Sequence, residues 1–164
     1  MIPPDIALAF APIPGGKYPH ACLTVNEGLL SLQATDGYIF LEVTWEDDTL
    51  FDLEARLGFS RTGLEAIGQG QQVQGVPEEH FSFPAFKDMG KIWVKNKKLH
   101  HEDWGISAHK MLKILNAMVD LGIEDGEAIR LSMDDAISPL NIDKVNVHGS
   151  FSVRAAVAPM KLDA

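Results

Sequence analysis

Four apolar segments joined by short turns constrain the fold of the first part of this chain. The segments are ACLTV (21–25), LLSLQAT (29–35), YIFLEVTW (38–45) and TLFDLEARL (49–57). The turn signals Asn-Glu-Gly, Asp-Gly and Glu-Asp-Asp separate them. Short polar turns between apolar segments are typical of antiparallel hairpins. We therefore predict four antiparallel strands that follow one another as a meander.

Two helices are predicted after the meander. The segment 59–70 has Ser60 as a candidate N-cap and glycines at its end. The segment 107–122 begins at Ser107, ends at Gly122 and repeats apolar residues at helical spacing. The face predicted to meet the core consists of Ala108, Met111, Leu112, Leu115, Met118 and Val119. The opposite, polar face is predicted to carry His109, Lys113, Asn116 and Asp120.

The remaining segments complete an α+β pattern. Further strands are predicted at 91–95, 128–133, 138–142 and 150–158. In residues 1–20, Pro12 and Pro14 argue against a long helix, so we expect a short edge strand there. Residues 58–105 are expected to form a loop-rich insertion. The predicted fold is one α+β domain, residues 1–164, with an antiparallel sheet and two helices.

Length and composition favour a single hydrophobic core. The chain has 164 residues, 46% of them hydrophobic, a formal net charge of −9 and a lone cysteine, Cys22. A chain of this size builds one core, and a lone cysteine fits a reducing compartment. No signal segment or bilayer-length apolar run is recognisable. We therefore expect a cytoplasmic protein with no membrane partner.

The acidic total hides a local excess of positive charge. Of the 14 lysines and arginines, seven fall between positions 87 and 113, a window with only three acidic residues. The seven are Lys87, Lys91, Lys95, Lys97, Lys98, Lys110 and Lys113. A basic stripe on an acidic body can bind phosphates, although most charge runs are only solvated surface. Both interpretations stay open.

No catalytic constellation is recognisable in the sequence. Neither a Gly-rich phosphate loop nor a Gly-x-Ser-x-Gly turn occurs. His100 and His101 adjoin two acidic residues, but adjacent histidines point in different directions and no second ligand pair follows at helical spacing. Cys22 is expected to be a small core residue of a strand. We expect no enzymatic activity, no cofactor and no metal site.

Several segments resemble the bacterial sliding clamp, the beta subunit of DNA polymerase III. LSLQATDGYIFLEVTW is similar to the family's L-x-L-x-A-T-D-G hairpin, and GEAIRLSMDDAISPLNI to its strand followed by Ser-Pro and a short strand. The segment Ala158-Pro159-Met160-Lys161-Leu162 stands where the family has Met-Pro-Met-Arg-Leu. The helix at 107–122 takes the place of the family's second DNA-facing helix. The resemblance covers about residues 21–57 and 106–162.

The resemblance implies a single clamp domain that contributes to a ring around duplex DNA. Family chains have three such domains and two chains close a ring of six, so this chain resembles a reduced clamp, of the kind a phage or mobile element carries. The implied DNA-facing residues are Lys95, Lys97, Lys98, Lys110 and Lys113. The implied groove for replication-protein peptides consists of Ile137, Pro139, Ala156, Ala158, Pro159, Met160 and Leu162. The expected partners are double-stranded DNA, clamp-binding peptides and further copies of the chain.

Two other functions are compatible with the sequence. One is a clamp-mimicking interaction module that binds clamp partners without binding DNA. The other is a small hydrolase or ligand-binding protein whose clamp resemblance is accidental, and the missing catalytic constellation argues against it. A ring of one-domain chains requires several copies, whereas a competitor can be monomeric.

Overall fold

The computed structural model describes residues 2–84, 104–122, 129–132, 140–147, 151–158 and 160–161. Three α-helices lie in these ranges: α1 (Pro4–Phe10), α2 (Arg61–Gly68) and α3 (Ala108–Asp120). The first five strands are β1 (His20–Asn26), β2 (Leu29–Thr35), β3 (Ile39–Glu46), β4 (Ala55–Ser60) and β5 (Val76–Pro77). The others are β6 (Trp104–Gly105), β7 (Arg130–Ser132), β8 (Leu140–Val147), β9 (Phe151–Val157) and β10 (Met160–Lys161).

Eight strands form one antiparallel sheet in the order β5-β4-β1-β2-β3-β9-β8-β7. Strands β1 to β4 come from the first part of the chain, and β7 to β9 from the last. The two groups meet where β3 pairs with β9, in a register that runs from Ile39 opposite Val157 to Trp45 opposite Phe151. Strands β6 and β10 pair separately.

The three helices cover one face of this sheet. Helix α1 contacts both α2 and α3, and α3 contacts β3 and β9. One buried cluster joins the helices to the alternating residues of the strands that point towards them. Its strand members include Leu23, Leu32, Leu41, Val153 and Val157, and its helix members include Phe10, Leu64, Ile114 and Met118.

The predicted fold class is confirmed, with three corrections to its elements. The sheet is antiparallel, but only β1 to β3 form a meander: β4 pairs with β1 and not with β3, as the order β4-β1-β2-β3 shows. Residues 1–20 contain a helix and no edge strand: Pro4 lies in the first turn of α1, where proline is tolerated. Pro12 and Pro14 follow its end. The fourth strand begins at Ala55, because residues 48–50 form a 3₁₀ turn that Asp47 caps.

Helix α3 has the predicted ends but a different buried face. The Ser107 side chain accepts a hydrogen bond from the Lys110 backbone N–H, as an N-cap does. Ile114, Ala117 and Met118 are buried. Leu112 and Val119, which were predicted to meet the core, are 56% and 62% exposed. The apolar residues span more than half of the helix circumference, so their spacing did not reveal which part the sheet covers.

The second face of the sheet is partly covered by residues 78–84. Arg56 pairs with Glu78, and its guanidinium donates to the backbone oxygen of Phe83 at 3.5 Å. The Phe81 ring lies 6.0 Å from the ring of His20, centroid to centroid. A side chain at Gly58 would collide with Phe81, since its Cβ would lie 2.7 Å from Phe81 Cδ1. The absence of a side chain at Gly58 therefore lets this segment approach β4.

Replacing Gly58 by Ala should destabilise the protein. The Phe81 ring would have to leave β4, and overpacking of this kind costs about 1–3 kcal/mol. Denaturant unfolding followed by circular dichroism measures the loss. Gly15→Ala is the matched control, because its Cβ would meet Asp36 Cβ at 3.6 Å, an ordinary contact. Equal stability of wild type and Gly58→Ala would contradict the close approach of Phe81.

Candidate nucleic-acid and peptide interfaces

Lys110 and Lys113 are the predicted DNA-facing residues that the structure describes. Both lie on the first two turns of α3. Their side chains are 28% and 25% exposed. Lys95, Lys97 and Lys98 lie outside the described residues.

The two lysines converge on one carboxylate, that of Asp36. Lys110 Nζ donates to Asp36 Oδ2, and Lys113 Nζ lies 3.9 Å from the same oxygen. The Lys110 ammonium also lies 5.2 Å from the centre of the Tyr38 ring, within the range of a cation–π contact. The Asp36 side chain is only 10% exposed. The predicted DNA-facing pair is therefore part of a charge cluster with a carboxylate at its centre.

The local sequence Thr-Asp-Gly-Tyr explains why Asp36 is held in place. Asp36 Oδ1 accepts hydrogen bonds from the backbone N–H groups of Tyr38 (2.9 Å) and Ile39 (3.1 Å). Thr35 Oγ1 donates to the Ile39 carbonyl at 2.6 Å and accepts from the Gly37 N–H at 3.0 Å. Gly37 has a φ of 95°, which glycine adopts without strain. The β2–β3 turn thus fixes one carboxylate oxygen and directs the other to α3.

Burial and pairing have opposite effects on the charge of Asp36. Burial by itself raises the pKa of Asp36, but hydrogen bonds from Lys110 and from the backbone N–H groups outweigh it. The pKa of Asp36 is therefore below its usual value, and the carboxylate is ionised at neutral pH. Burial lowers the pKa of Lys113, and the charge of Asp36 acts in the opposite direction.

Two of the predicted groove residues have described side chains. Ala156 is buried on the sheet face opposite the helices, where it packs with Phe40 and Phe83. Ala158 is also buried, and its N–H donates to the Tyr38 carbonyl at 2.7 Å. Met160 pairs through its backbone with Gly105. Ile137, Pro139, Pro159 and Leu162 lie outside the described residues.

Aromatic residues that the sequence did not single out lie beside Ala156. Phe83 packs on the Phe40–Ala156 pair, and its ring centre lies 6.4 Å from that of Tyr18. A peptide that reached Ala156 would have to displace Phe83 or bind beside it. The sequence contained no recognisable signal for this contact, because Phe83 belongs to the segment that was predicted only as loop.

An apolar cavity lies on the helix side of the sheet, away from Ala156. Its volume is about 660 Å³. Its walls are Leu23, Val25, Leu30, Leu57 and Phe59 of the sheet, Ile67 of α2, other apolar side chains and Gln71, Gln72 and Gln74. Without charged groups, this cavity resembles neither a phosphate site nor a catalytic site.

The described residues offer little for catalysis or metal binding. Among them, no group of three or more His, Cys, Asp or Glu side chains could hold a metal ion. Cys22 is buried, as predicted; burial raises the pKa of its thiol, and the Arg56 Nε–H donates to its sulfur at 3.2 Å. No helix in the described part of the chain has the length and apolar character that crossing a membrane requires.

Comparison with known proteins places the fold among DNA clamps. No protein-family model matches the chain, and no curated protein is similar to it in sequence. The structure is similar to the DNA polymerase III beta subunit of Thermotoga maritima, with a TM-score of 0.65 and 10% identity over 98% of this chain. The H. pylori beta clamp in complex with diflunisal gives a TM-score of 0.67 and 11% identity over 97% of this chain.

A third similar structure is the A. fulgidus PCNA to which the C-terminal region of FEN-1 is bound. Its TM-score is 0.61, with 10% identity over 99% of this chain and 98% of the PCNA chain. The chain spans 63% and 64% of the length of the two bacterial clamps. Identities this low establish the fold alone, and the resemblance seen in the sequence is confirmed at that level. This chain has the fold of a sliding-clamp domain.

Proposed function

We propose that this chain is a DNA sliding clamp or clamp-like processivity factor. It would encircle duplex DNA without reading sequence and dock peptides of replication proteins. Two observations together carry the proposal: the chain has the clamp fold, and Lys110 and Lys113 lie side by side on α3. Helix α3 belongs to the helix layer that covers one face of the sheet. Backbone contacts from such lysines hold DNA without sequence information.

The clamp proposal includes assembly and location. A one-domain chain closes a ring only with further copies, and the sheet ends in the short strands β5 and β7. Exposed edge strands are templates for pairing with another chain.

The FEN-1 region bound to PCNA in a similar structure supports a peptide partner. A replication role would place the protein in the cytoplasm.

One observation favours the clamp-mimicking module without DNA binding. The helix layer exposes the apolar side chains of Leu8, Leu112 and Val119, whereas Lys110 and Lys113 are paired with Asp36. An apolar helix surface suits a protein partner better than a phosphate backbone. The DNA-binding measurement distinguishes the two functions.

Replacing Lys110 and Lys113 by Gln should weaken DNA binding. Gln removes the charge without placing a second carboxylate beside Asp36. If both lysines contact phosphates, the slope of log affinity against log salt should fall by up to about 2. Retention on closed circular DNA, and its loss when the circle is linearised, measures encirclement directly.

The matched control removes two charges from the opposite sheet face. Arg56 and Arg154 lie on that face, so Arg56→Gln with Arg154→Gln should leave retention nearly unchanged. If both double variants bind circular DNA as wild type does, α3 does not face DNA. A folded wild type that fails to bind circular DNA would leave the interaction module as the better proposal.

Native mass spectrometry should detect a closed oligomer. A ring of six one-domain chains has six times the monomer mass of 18.0 kDa. Because head-to-tail pairing closes only at a fitting rotation, one discrete species is expected. A monomer that persists at high protein concentration is incompatible with a ring.

A clamp-binding peptide should bind wild type and lose affinity when the chain is truncated after Val157. The truncation removes Ala158, whose N–H contacts the Tyr38 carbonyl, together with the groove residues Pro159, Met160 and Leu162. Fluorescence anisotropy measures the affinity, and circular dichroism checks that the truncated protein is folded. A peptide with its apolar anchors replaced by Ser is the control. Absence of binding to folded wild type would refute the groove.

A further inference from the structure

The Asp36 carboxylate limits the positive charge that α3 presents. Two ammonium groups and one carboxylate give the cluster a net charge of about +1, where Lys110 and Lys113 alone would give about +2. Both lysine ammonium groups are within 4 Å of Asp36 Oδ2. A phosphate has to compete with this carboxylate for the same ammonium groups.

The anchor of the cluster is Asp36 and not the lysines. Two backbone N–H groups of its own turn hold the other carboxylate oxygen, Oδ1, so the carboxylate cannot rotate away when DNA approaches. Lysine side chains, by contrast, are long and flexible. In this arrangement the ammonium groups are drawn towards the β2–β3 turn, which accounts for their partial burial on α3.

We propose that Asp36 is a positioning residue that sets the orientation and the available charge of Lys110 and Lys113, and so keeps phosphate binding at this surface weak. The proposal rests on the proposed function, because it assumes that α3 faces DNA. Weak backbone binding is what a protein that moves along DNA requires, since each additional phosphate contact slows release. Asp36 would thus act on DNA through the two lysines without touching it.

Asp36→Asn is the informative substitution. The amide oxygen of Asn can still accept the hydrogen bonds from Tyr38 and Ile39, whereas the negative charge opposite the lysines is lost. The turn is therefore retained while the ammonium groups become available to phosphate. Asp52→Asn is the control for net charge, because Asp52 is an exposed residue of the β3–β4 loop.

The experiment measures the affinity for a short fluorescent DNA duplex by anisotropy over a series of salt concentrations near neutral pH. Asp36→Asn should bind about 3–10-fold more tightly than wild type at low salt, and its slope of log affinity against log salt should be steeper by about 1–2. Asp52→Asn should change the slope little. Adding Lys110→Gln and Lys113→Gln to Asp36→Asn should abolish the gain.

The outcomes separate this inference from the proposed function. If Lys110→Gln with Lys113→Gln weakens binding but Asp36→Asn leaves affinity and slope unchanged, α3 faces DNA and the role of Asp36 is refuted. If Asp36→Asn tightens binding equally with and without the lysines, the effect is general charge and the inference is again wrong. If Asp36→Asn tightens DNA binding and the gain is lost when both lysines are replaced by Gln, the role of Asp36 is supported. This holds even where wild type binds DNA too weakly to measure. If neither wild type nor Asp36→Asn binds, both proposals fail.

Discussion

The pairing of β3 with β9 is the contact on which the rest of the structure depends. It joins residues that are more than a hundred positions apart in the chain, from Ile39–Val157 to Trp45–Phe151. Side chains reinforce it, because Thr44 and Ser152 share a hydrogen bond across the two strands. Glu42 Oε1 accepts a hydrogen bond from Gln33 Nε2 at 2.6 Å, and Glu42 Oε2 lies 3.8 Å from Arg154 Nη1. Strands β8 and β7 join the sheet only beyond β9. Without this ladder the two parts of the sheet would separate.

The same ladder brings the charge cluster together. Asp36 lies in the turn that enters β3, whereas α3 contacts both β3 and β9. The cluster therefore depends on the register between the two halves of the chain. Asp36 of the β2–β3 turn contacts lysines of a helix more than 70 positions later because β3 belongs to the sheet that α3 covers. The geometry of the cluster is thus linked to the central sheet contact and not to α3 alone.

Local features were predictable from the sequence, and long-range ones were not. The strands β1 to β3, both ends of α3 and the Ser60 cap of α2 followed from turn residues and capping signals. The structure resolved what one-dimensional patterns leave open: α1 forms despite nearby prolines, and α3 buries Ile114 and exposes Leu112. The clamp resemblance was recognisable from short motifs because the hairpin retains its turn chemistry.

For the site, the sequence identified the lysines but not their partner. Lys110 and Lys113 were noted because positive charge is concentrated in that region, a property of composition. Asp36 was interpreted only as part of a turn, because its role requires knowing that the β2–β3 turn reaches α3. Likewise, Phe83 could not be placed beside Ala156, since the contact joins a loop to a strand with no shared pattern. Positions of this kind require tertiary structure.

The sheet order also has a consequence for how the protein folds during synthesis. Helices α1 and α2 and strands β1 to β4 all lie within residues 4–68, where β1 pairs with both β2 and β4 and β2 pairs with β3, so their contacts are short-range in the chain and form quickly. Among the strands of the eight-stranded sheet β9 is synthesised last, and until it arrives β3 has an unpaired edge that carries apolar residues. A nascent chain therefore passes through a stage in which half a sheet is complete and its central strand is open to other chains. The strand that completes the native sheet is thus also the one that ends this period of exposure.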